Sequence, residues 1–164
     1  MPLAETCRRI KLLLSDVDGV MTDGSVLYDS TGAELKSFNI RDGLGIRLWQ
    51  RAGGVFGVVT GRESPMVERR CRELDVAILV QNSGDKLPKV QQIASEQGVT
   101  LDEIAYIGDD LPDLPVIQAV GLGVAVADAA EEVLHAADYT TQLPGGRGAI
   151  RELIEVILKQ RMKQ

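Results

Sequence analysis

"LLLSDVDGVMTDG", residues 12–24, decides how this chain reads. Three leucines run straight into Asp16, Asp18 and Asp23, with Gly19 and Gly24 interleaved. A short, wholly apolar run closed by a glycine-containing loop is the pattern of a strand buried on both faces of a parallel sheet. Carboxylates two residues apart cannot follow such a strand into a core, because an unpaired buried charge is too costly. They belong on a rim where strand ends converge.

Working outward, short apolar runs alternate with longer amphipathic ones. Strands are predicted over residues 10–15, 55–60, 76–80, 104–107 and 123–126, and helices over 43–52, 64–74, 87–97, 111–119, 129–136 and 148–161. Strand and helix in alternation mean βαβ units and a parallel sheet covered on both faces, a Rossmann-like α/β fold. In "GRESPM", Gly61 ends a strand, Ser64 can cap a helix, and Pro65 suits its first turn. Aromatic residues make up only 4% of the chain, so the core volume is aliphatic. One segment breaks the alternation. "SVLYDSTGAELKSFNIRDG", residues 25–43, carries the turn signal "DSTG" between two short apolar stretches and predicts a projecting β-hairpin.

The 164 residues suit one domain spanning 1–164. A formal net charge of −6 argues against nucleic acid or an anionic membrane as partner. It leaves room for an anionic small molecule, since a bound cation and a few placed basic groups reverse the sign locally. Two cysteines, Cys7 and Cys71, make neither a disulfide framework nor a metal-ligand pattern. The apolar run near the start is interrupted by Ser15 and Asp16 and has no cleavage pattern of a leader. No stretch reaches the roughly 20 apolar residues of a membrane span. A cytoplasmic protein is the expectation.

Ligands of open α/β sheets bind at the carboxyl ends of the strands, and four groups of polar residues fall there. Asp16 and Asp18 follow the first strand, and Thr60 ends "VFGVVT". Lys86 stands in "NSGDKLP", and Asp109, Asp110 and Asp113 stand in "GDDLPD". Taken singly, each has an ordinary explanation: an acidic loop, a cap, a solvated charge, acids at a helix dipole. Together, in one order, they describe a phosphate chemistry. Clustered carboxylates call for a hard cation such as Mg²⁺. One carboxylate can attack phosphorus, and another two residues later can move protons. A threonine and a lysine can hold the phosphoryl oxygens. A signalling receiver domain would place its acidic pair and its phosphorylated aspartate in a different order. A third reading is an inactive relative kept as a binding module, and the presence of every one of these residues argues against it.

On "DVDGV", "VVTGR", Lys86 and "GDDLPD", the chain resembles the haloacid dehalogenase superfamily of phosphotransferases across residues 10 to 150. "NIRDGLGI", "VERRC", "VAVADA" and "GGRGAIRE" narrow the resemblance to its phosphatases of an eight-carbon sugar acid phosphate, 3-deoxy-D-manno-octulosonate 8-phosphate, which serve lipopolysaccharide synthesis. A phosphatase of nine-carbon, sialic-type acid phosphates is the alternative. The resemblance implies Asp16 as nucleophile and Asp18 as general acid and base. It implies Mg²⁺ on the carboxylates of Asp16 and Asp109 and the carbonyl of Asp18. Thr60 and Lys86 would hold the phosphoryl group, with Asp110 and Asp113 behind them. Asn39, Ile40, Arg41, Asp42, Gly43, Arg62 and Arg70 match substrate-contacting positions. Arginine is suited to a substrate that carries both phosphate and carboxylate, although Arg70, beside Arg69 and Arg72, also reads as an exposed helix charge.

The spacing leaves no room for an inserted cap domain between Asp18 and Thr60 or between Thr60 and Lys86. A neighbouring subunit could close the site instead, and the resemblance implies a homotetramer. Val26, Leu27, Tyr28, Leu35 and Phe38 of the hairpin offer an association surface. The tail "LPGGRGAIRE" could present Arg147 on a mobile loop, anchored by a helix carrying Ile150, Leu153, Ile154, Ile157 and Leu158.

Overall fold

The computed structural model describes residues 2–162. Six strands form one wholly parallel sheet: β1 (Leu12–Ser15), β4 (Val55–Val59), β5 (Ile78–Val80), β6 (Ile104–Gly108), β7 (Leu122–Ala125) and β8 (Tyr139–Thr140). Their order is β5-β4-β1-β6-β7-β8. The hairpin pairs β2 (Leu27–Tyr28) with β3 (Glu34–Leu35) as a separate two-stranded unit. Its turn is held by Asp29, whose carboxylate accepts from Thr31 and Ala33 amides while Gly32 takes the left-handed conformation.

Helices α1 (Leu3–Arg9), α2 (Ile40–Arg51), α3 (Pro65–Glu73) and α7 (Ala149–Met162) cover one face, and α4 (Lys86–Gln97), α5 (Leu114–Ala119) and α6 (Glu131–Ala136) the other. The period of two along β1 divides the core. Leu13 packs with Ile46, Trp49 and Ile154 on the first face, whereas Leu12 and Leu14 pack with Val90, Ile93 and Val116 on the second. Every β1 side chain is buried, which explains the unbroken apolar run.

The architecture is the expected one, and the differences are local. Strand β8 and helix α1 go beyond the predicted set. Two residues of strand and seven of helix are too short to leave a period in the sequence. Helix α2 begins at Ile40 rather than at position 43, because Asn39 caps it by accepting from the Arg41 amide at 2.8 Å. Gly43 and Gly45 lower helix propensity there, but a side chain at Gly43 would strike Arg70 and one at Gly45 would crowd Arg151. The segment 111–119 opens as a 3₁₀ turn, Leu111–Asp113, before α5. No helix among the described residues is long and apolar enough to cross a membrane.

Candidate active site

Because β1 has β4 on one side and β6 on the other, three loops leave the sheet side by side at its carboxyl edge. They place Asp16 just after β1, Thr60 just after β4 and Asp109 just after β6, while Lys86 opens α4 after the loop from β5. A cleft of about 190 Å³ results, lined by Asp16, Asp18, Thr60, Arg62, Lys86, Asp109, Asp110 and Asp113.

Asp113 organises the floor. Its Oδ1 accepts from Lys86 Nζ at 2.7 Å and from the Tyr106 hydroxyl at 2.6 Å. Its Oδ2 accepts from the amides of Asp109 at 2.9 Å and Asp110 at 3.3 Å. Four donors saturate a carboxylate that is 1% exposed. Asp113 therefore sets the positions of Lys86 and of the Asp109 loop. Burial pushes the Lys86 ammonium down, and the negative charges of Asp16 and Asp113 more than reverse this, so it stays charged. Burial and the Asp113 charge raise the Tyr106 phenol, leaving its hydroxyl a permanent donor.

Asp16 receives the Val17 amide at 2.7 Å and lies 3.0 Å from Lys86 Nζ, both through Oδ1. Burial and the Asp113 charge push its carboxyl up to about 6 despite Lys86. Asp109 is pushed further, to about 8, by burial and by Asp16 and Asp113. Its Oδ1 is buried and has no hydrogen-bond partner. Ligand oxygens of Asp16, Asp109 and Asp113 all lie within 4.8 Å of one another. Since Asp113 has no lone pair to spare, Asp16 and Asp109 are the two carboxylates left facing each other, with Lys86, shared between Asp16 and Asp113, as the one cation beside them among the described residues. That donor set, all hard oxygen with one orphaned atom, fits a small divalent cation. Gly19 completes the enclosure. Its φ is +91°, and a side chain there would reach within 2.0 Å of Asp109 Oδ2.

The Asp18 carboxylate does not join this group. Lys36, whose side chain is 1% exposed, donates to Asp18 Oδ1 at 2.5 Å. Lys36 Nζ also lies 3.4 Å from Glu34 Oε1, and Glu34 in turn binds Arg62 Nη2 at 3.0 Å. Sequence reasoning missed Glu34, Lys36 and Tyr106. The first two stand two apart in "GAELKSF", so the period of the strand puts both on one face of the hairpin, a signal obscured by the apolar Leu35 between them.

Other predicted contacts lie away from the cleft. Asn39 caps α2 and donates from Nδ2 to the Gly146 carbonyl at 3.3 Å. Ile40 and Arg41 are exposed. Asp42 is buried, and its Oδ1 accepts from the Arg151 amide at 2.9 Å, so it caps α7 instead of facing a ligand. Gly43 packs under Arg70. Arg70 is no exposed helix charge: it is 19% exposed, stands over the Phe38 ring with its guanidinium carbon 5.9 Å from the ring centre, and has a buried Nε without a partner. Phe38 packs on the chain's own core and leaves the hairpin surface to Val26, Leu27, Tyr28 and Leu35.

The glycine-rich tail is docked, not loose. The Gly146 amide donates to the Val20 carbonyl at 2.8 Å and the Gly145 amide to Asp128 at 2.9 Å. A side chain at Gly145 would overlap the Gly19 carbonyl. Arg147 points outward near Asp23, 4.0 Å away, with its side chain 69% exposed. Ile150, Leu153, Ile154 and Ile157 are buried and hold the helix behind it, while Leu158 is partly buried.

The chain is similar to known proteins. The haloacid dehalogenase-like hydrolase family matches residues 72–152. The 3-deoxy-D-manno-octulosonate 8-phosphate phosphatase KdsC of Escherichia coli (strain K12) is 43% identical over 149 residues, covering 91% of this chain and 79% of that protein. The crystal structure of 3-deoxy-D-manno-octulosonate 8-phosphate phosphatase from Moraxella catarrhalis, in complex with magnesium ion, phosphate ion and a KDO molecule, superposes with a TM-score of 0.94. It is 40% identical, over 96% of this chain and 91% of that one. The cobalt-bound deoxy-D-mannose-octulosonate 8-phosphate phosphatase of Haemophilus influenzae superposes with a TM-score of 0.93 at 40% identity, over 96% and 92%.

Proposed function

The chain belongs to the haloacid dehalogenase-like hydrolases and is a phosphatase among them, and from that premise we propose that it hydrolyses 3-deoxy-D-manno-octulosonate 8-phosphate to the free sugar acid and phosphate. The observation that carries this reading is the pairing of Asp16 with Lys86 at 3.0 Å beside the orphaned carboxylate oxygen of Asp109. A nucleophile, a fixed cation and a cation-ready oxygen converge at the end of one strand.

Asp16 attacks phosphorus and forms an aspartyl-phosphate as the sugar oxygen departs. Asp18 gives that oxygen a proton and takes one back from the water that cleaves the acyl phosphate. Lys86 and the Thr60 hydroxyl hold phosphoryl oxygens as charge builds on them. Arg62, on the open side of the cleft, is placed for the carboxylate or hydroxyls of the sugar acid. Mg²⁺ would be held by the carboxylates of Asp16 and Asp109 and the carbonyl of Asp18, and when bound it neutralises the two acids and a phosphoryl oxygen. Asp110, which lines the cleft but caps its own turn by accepting from the Leu111 amide at 2.8 Å, belongs with Asp113 behind the ligands.

The unit of function is one domain over residues 1–164, working in the cytoplasm within lipopolysaccharide synthesis. A homotetramer would bring the exposed Ile40, Arg41 and Arg147 to a shared boundary, with Asn39, Asp42, Gly43 and Arg70 supporting that surface from within. The 48–60% exposure of Val26, Leu27, Tyr28 and Leu35 supports such an assembly.

A phosphate-release screen over sugar phosphates tests the reading. The eight-carbon acid phosphate is expected to give the highest kcat/KM, chelation to stop release and Mg²⁺ to restore it. Preference for a nine-carbon acid phosphate would correct the substrate, and full activity after exhaustive chelation would reject the metal. Gly19→Ala should weaken Mg²⁺ activation by about 10–100-fold, as loss of support around a metal ligand does. The added methyl must displace the Asp109 carboxylate. Half-maximal activation by Mg²⁺ at the wild-type concentration would show that Asp109 does not set the affinity.

A further inference from the structure

We infer that two hairpin residues, Lys36 and Glu34, are positioning residues for the reaction, Lys36 fixing Asp18 and Glu34 fixing Arg62; this rests on the phosphatase reading above. Asp18, Lys36, Glu34 and Arg62 form one chain of alternating charge, with contacts of 2.5, 3.4 and 3.0 Å. Its two ends, Asp18 and Arg62, line the cleft. Its two middle members do not, and both lie on the hairpin at or directly after β3. Their side chains are 1% and 18% exposed, against 43% for Arg62.

Burying a lysine side chain costs free energy unless its charge is matched. Here the match is made with a carboxylate of the DxD loop, and a hairpin serving only as an outer surface would not need it. The contact engages only Oδ1 of Asp18. Among the described residues, no hydrogen bond or ion pair is made by the other oxygen, which is left for the proton transfers. Glu34 does the corresponding work for Arg62. Both of its oxygens approach the same nitrogen, Nη2, at 3.0 and 3.1 Å. One edge of the fork is thus held, while the Arg62 side chain stays 43% exposed. Without Lys36, the carboxylates of Asp18 and Glu34 would face each other across the space it filled and repel. A proton-transfer group shifted by about 1 Å can lose on the order of 10²-fold in rate. Without the Glu34 charge, Arg62 becomes a free side chain, and the loss falls on binding of the sugar acid.

The two residues therefore predict different kinetic signatures. Steady-state phosphate release would be measured with Mg²⁺ on the eight-carbon sugar acid phosphate and on phenyl phosphate, which has no remote acid group. Lys36→Met should lower kcat about 10–100-fold on both substrates with KM little changed, and Lys36→Arg should recover part of that loss. Glu34→Gln should raise KM about tenfold or more for the sugar acid phosphate, with a much smaller change for phenyl phosphate. Equal losses on both substrates in both variants, with lowered melting temperatures, would reduce the hairpin to a structural support and overturn the inference. So would wild-type kinetics in both. Absence of phosphate release from either substrate by the wild-type enzyme would instead overturn the phosphatase reading, and the inference with it.

Discussion

Asp16→Asn will bind metal and substrate poorly or well, but it will not turn over: phosphate release is expected to fall on the order of 10⁴–10⁶-fold. An amide oxygen cannot displace a phosphate ester, and no other carboxylate can take its place. Asp113 is saturated by four donors, Asp109 is held behind Gly19, and Asp18 stands outside the cluster of Asp16, Asp109 and Asp113 with one oxygen on Lys36. The substitution should not unfold the protein. Burial and the Asp113 charge already push the Asp16 carboxyl up to about 6, so removing its charge relieves repulsion. The amide keeps an acceptor for the Val17 amide, and Lys86 keeps Asp113. A melting temperature at or above wild type, together with absent turnover, is the combined result. Release within tenfold of wild type would mean that Asp16 is not the nucleophile.

Asp113→Ala is expected to have the largest effect on stability, roughly 3–5 kcal/mol, the usual consequence of removing one partner of a buried ion pair. The loss exceeds that of one contact because four donors are stranded together: the Lys86 ammonium, the Tyr106 hydroxyl and the amides of Asp109 and Asp110. Relief of repulsion with Asp16 and Asp109 offsets part of it. Asp113→Asn should fall between, since its amide keeps an acceptor for Lys86 and Tyr106 but presents N–H groups to two backbone amides. Urea denaturation of the three proteins measures this. A loss under about 1 kcal/mol for the alanine variant would show that water replaces the carboxylate readily.

The sheet and the strand-end residues were legible because each rests on a local pattern. Leu12, Leu13 and Leu14 are apolar together because both faces of β1 are covered, and Asp16 follows because β1 ends there. What was not legible depends on contacts made through space. Nothing beside Asp42 in sequence says that it caps a helix more than a hundred residues later. Nothing beside Arg70 says that "NIRDG" folds over it. Lys36 reads as a solvated strand charge until the hairpin is seen to lean on the DxD loop. Asn39 and Gly146 are each ordinary in sequence, and only the fold joins the tail to the start of α2.

The position of β1 in the sheet has a consequence for biosynthesis. The strand that leads into Asp16 is made first among the sheet strands but sits between partners made much later: Leu12 pairs with Val55 on one side and with Ile104 on the other. A parallel partner cannot be supplied by a hairpin, so each pairing must close a long loop before it gains anything, which slows folding. While the ribosome is still producing the second half, "LLLS" has one free edge and the nascent chain carries an adhesive apolar segment. Asp16 and Asp18 stand directly beside that segment as charged gatekeepers against premature association. The carboxylates proposed for phosphorus chemistry would thus also protect the chain during its own synthesis, and neutralising both should lower the yield of folded protein from cells more than it lowers the stability of the molecules that do fold.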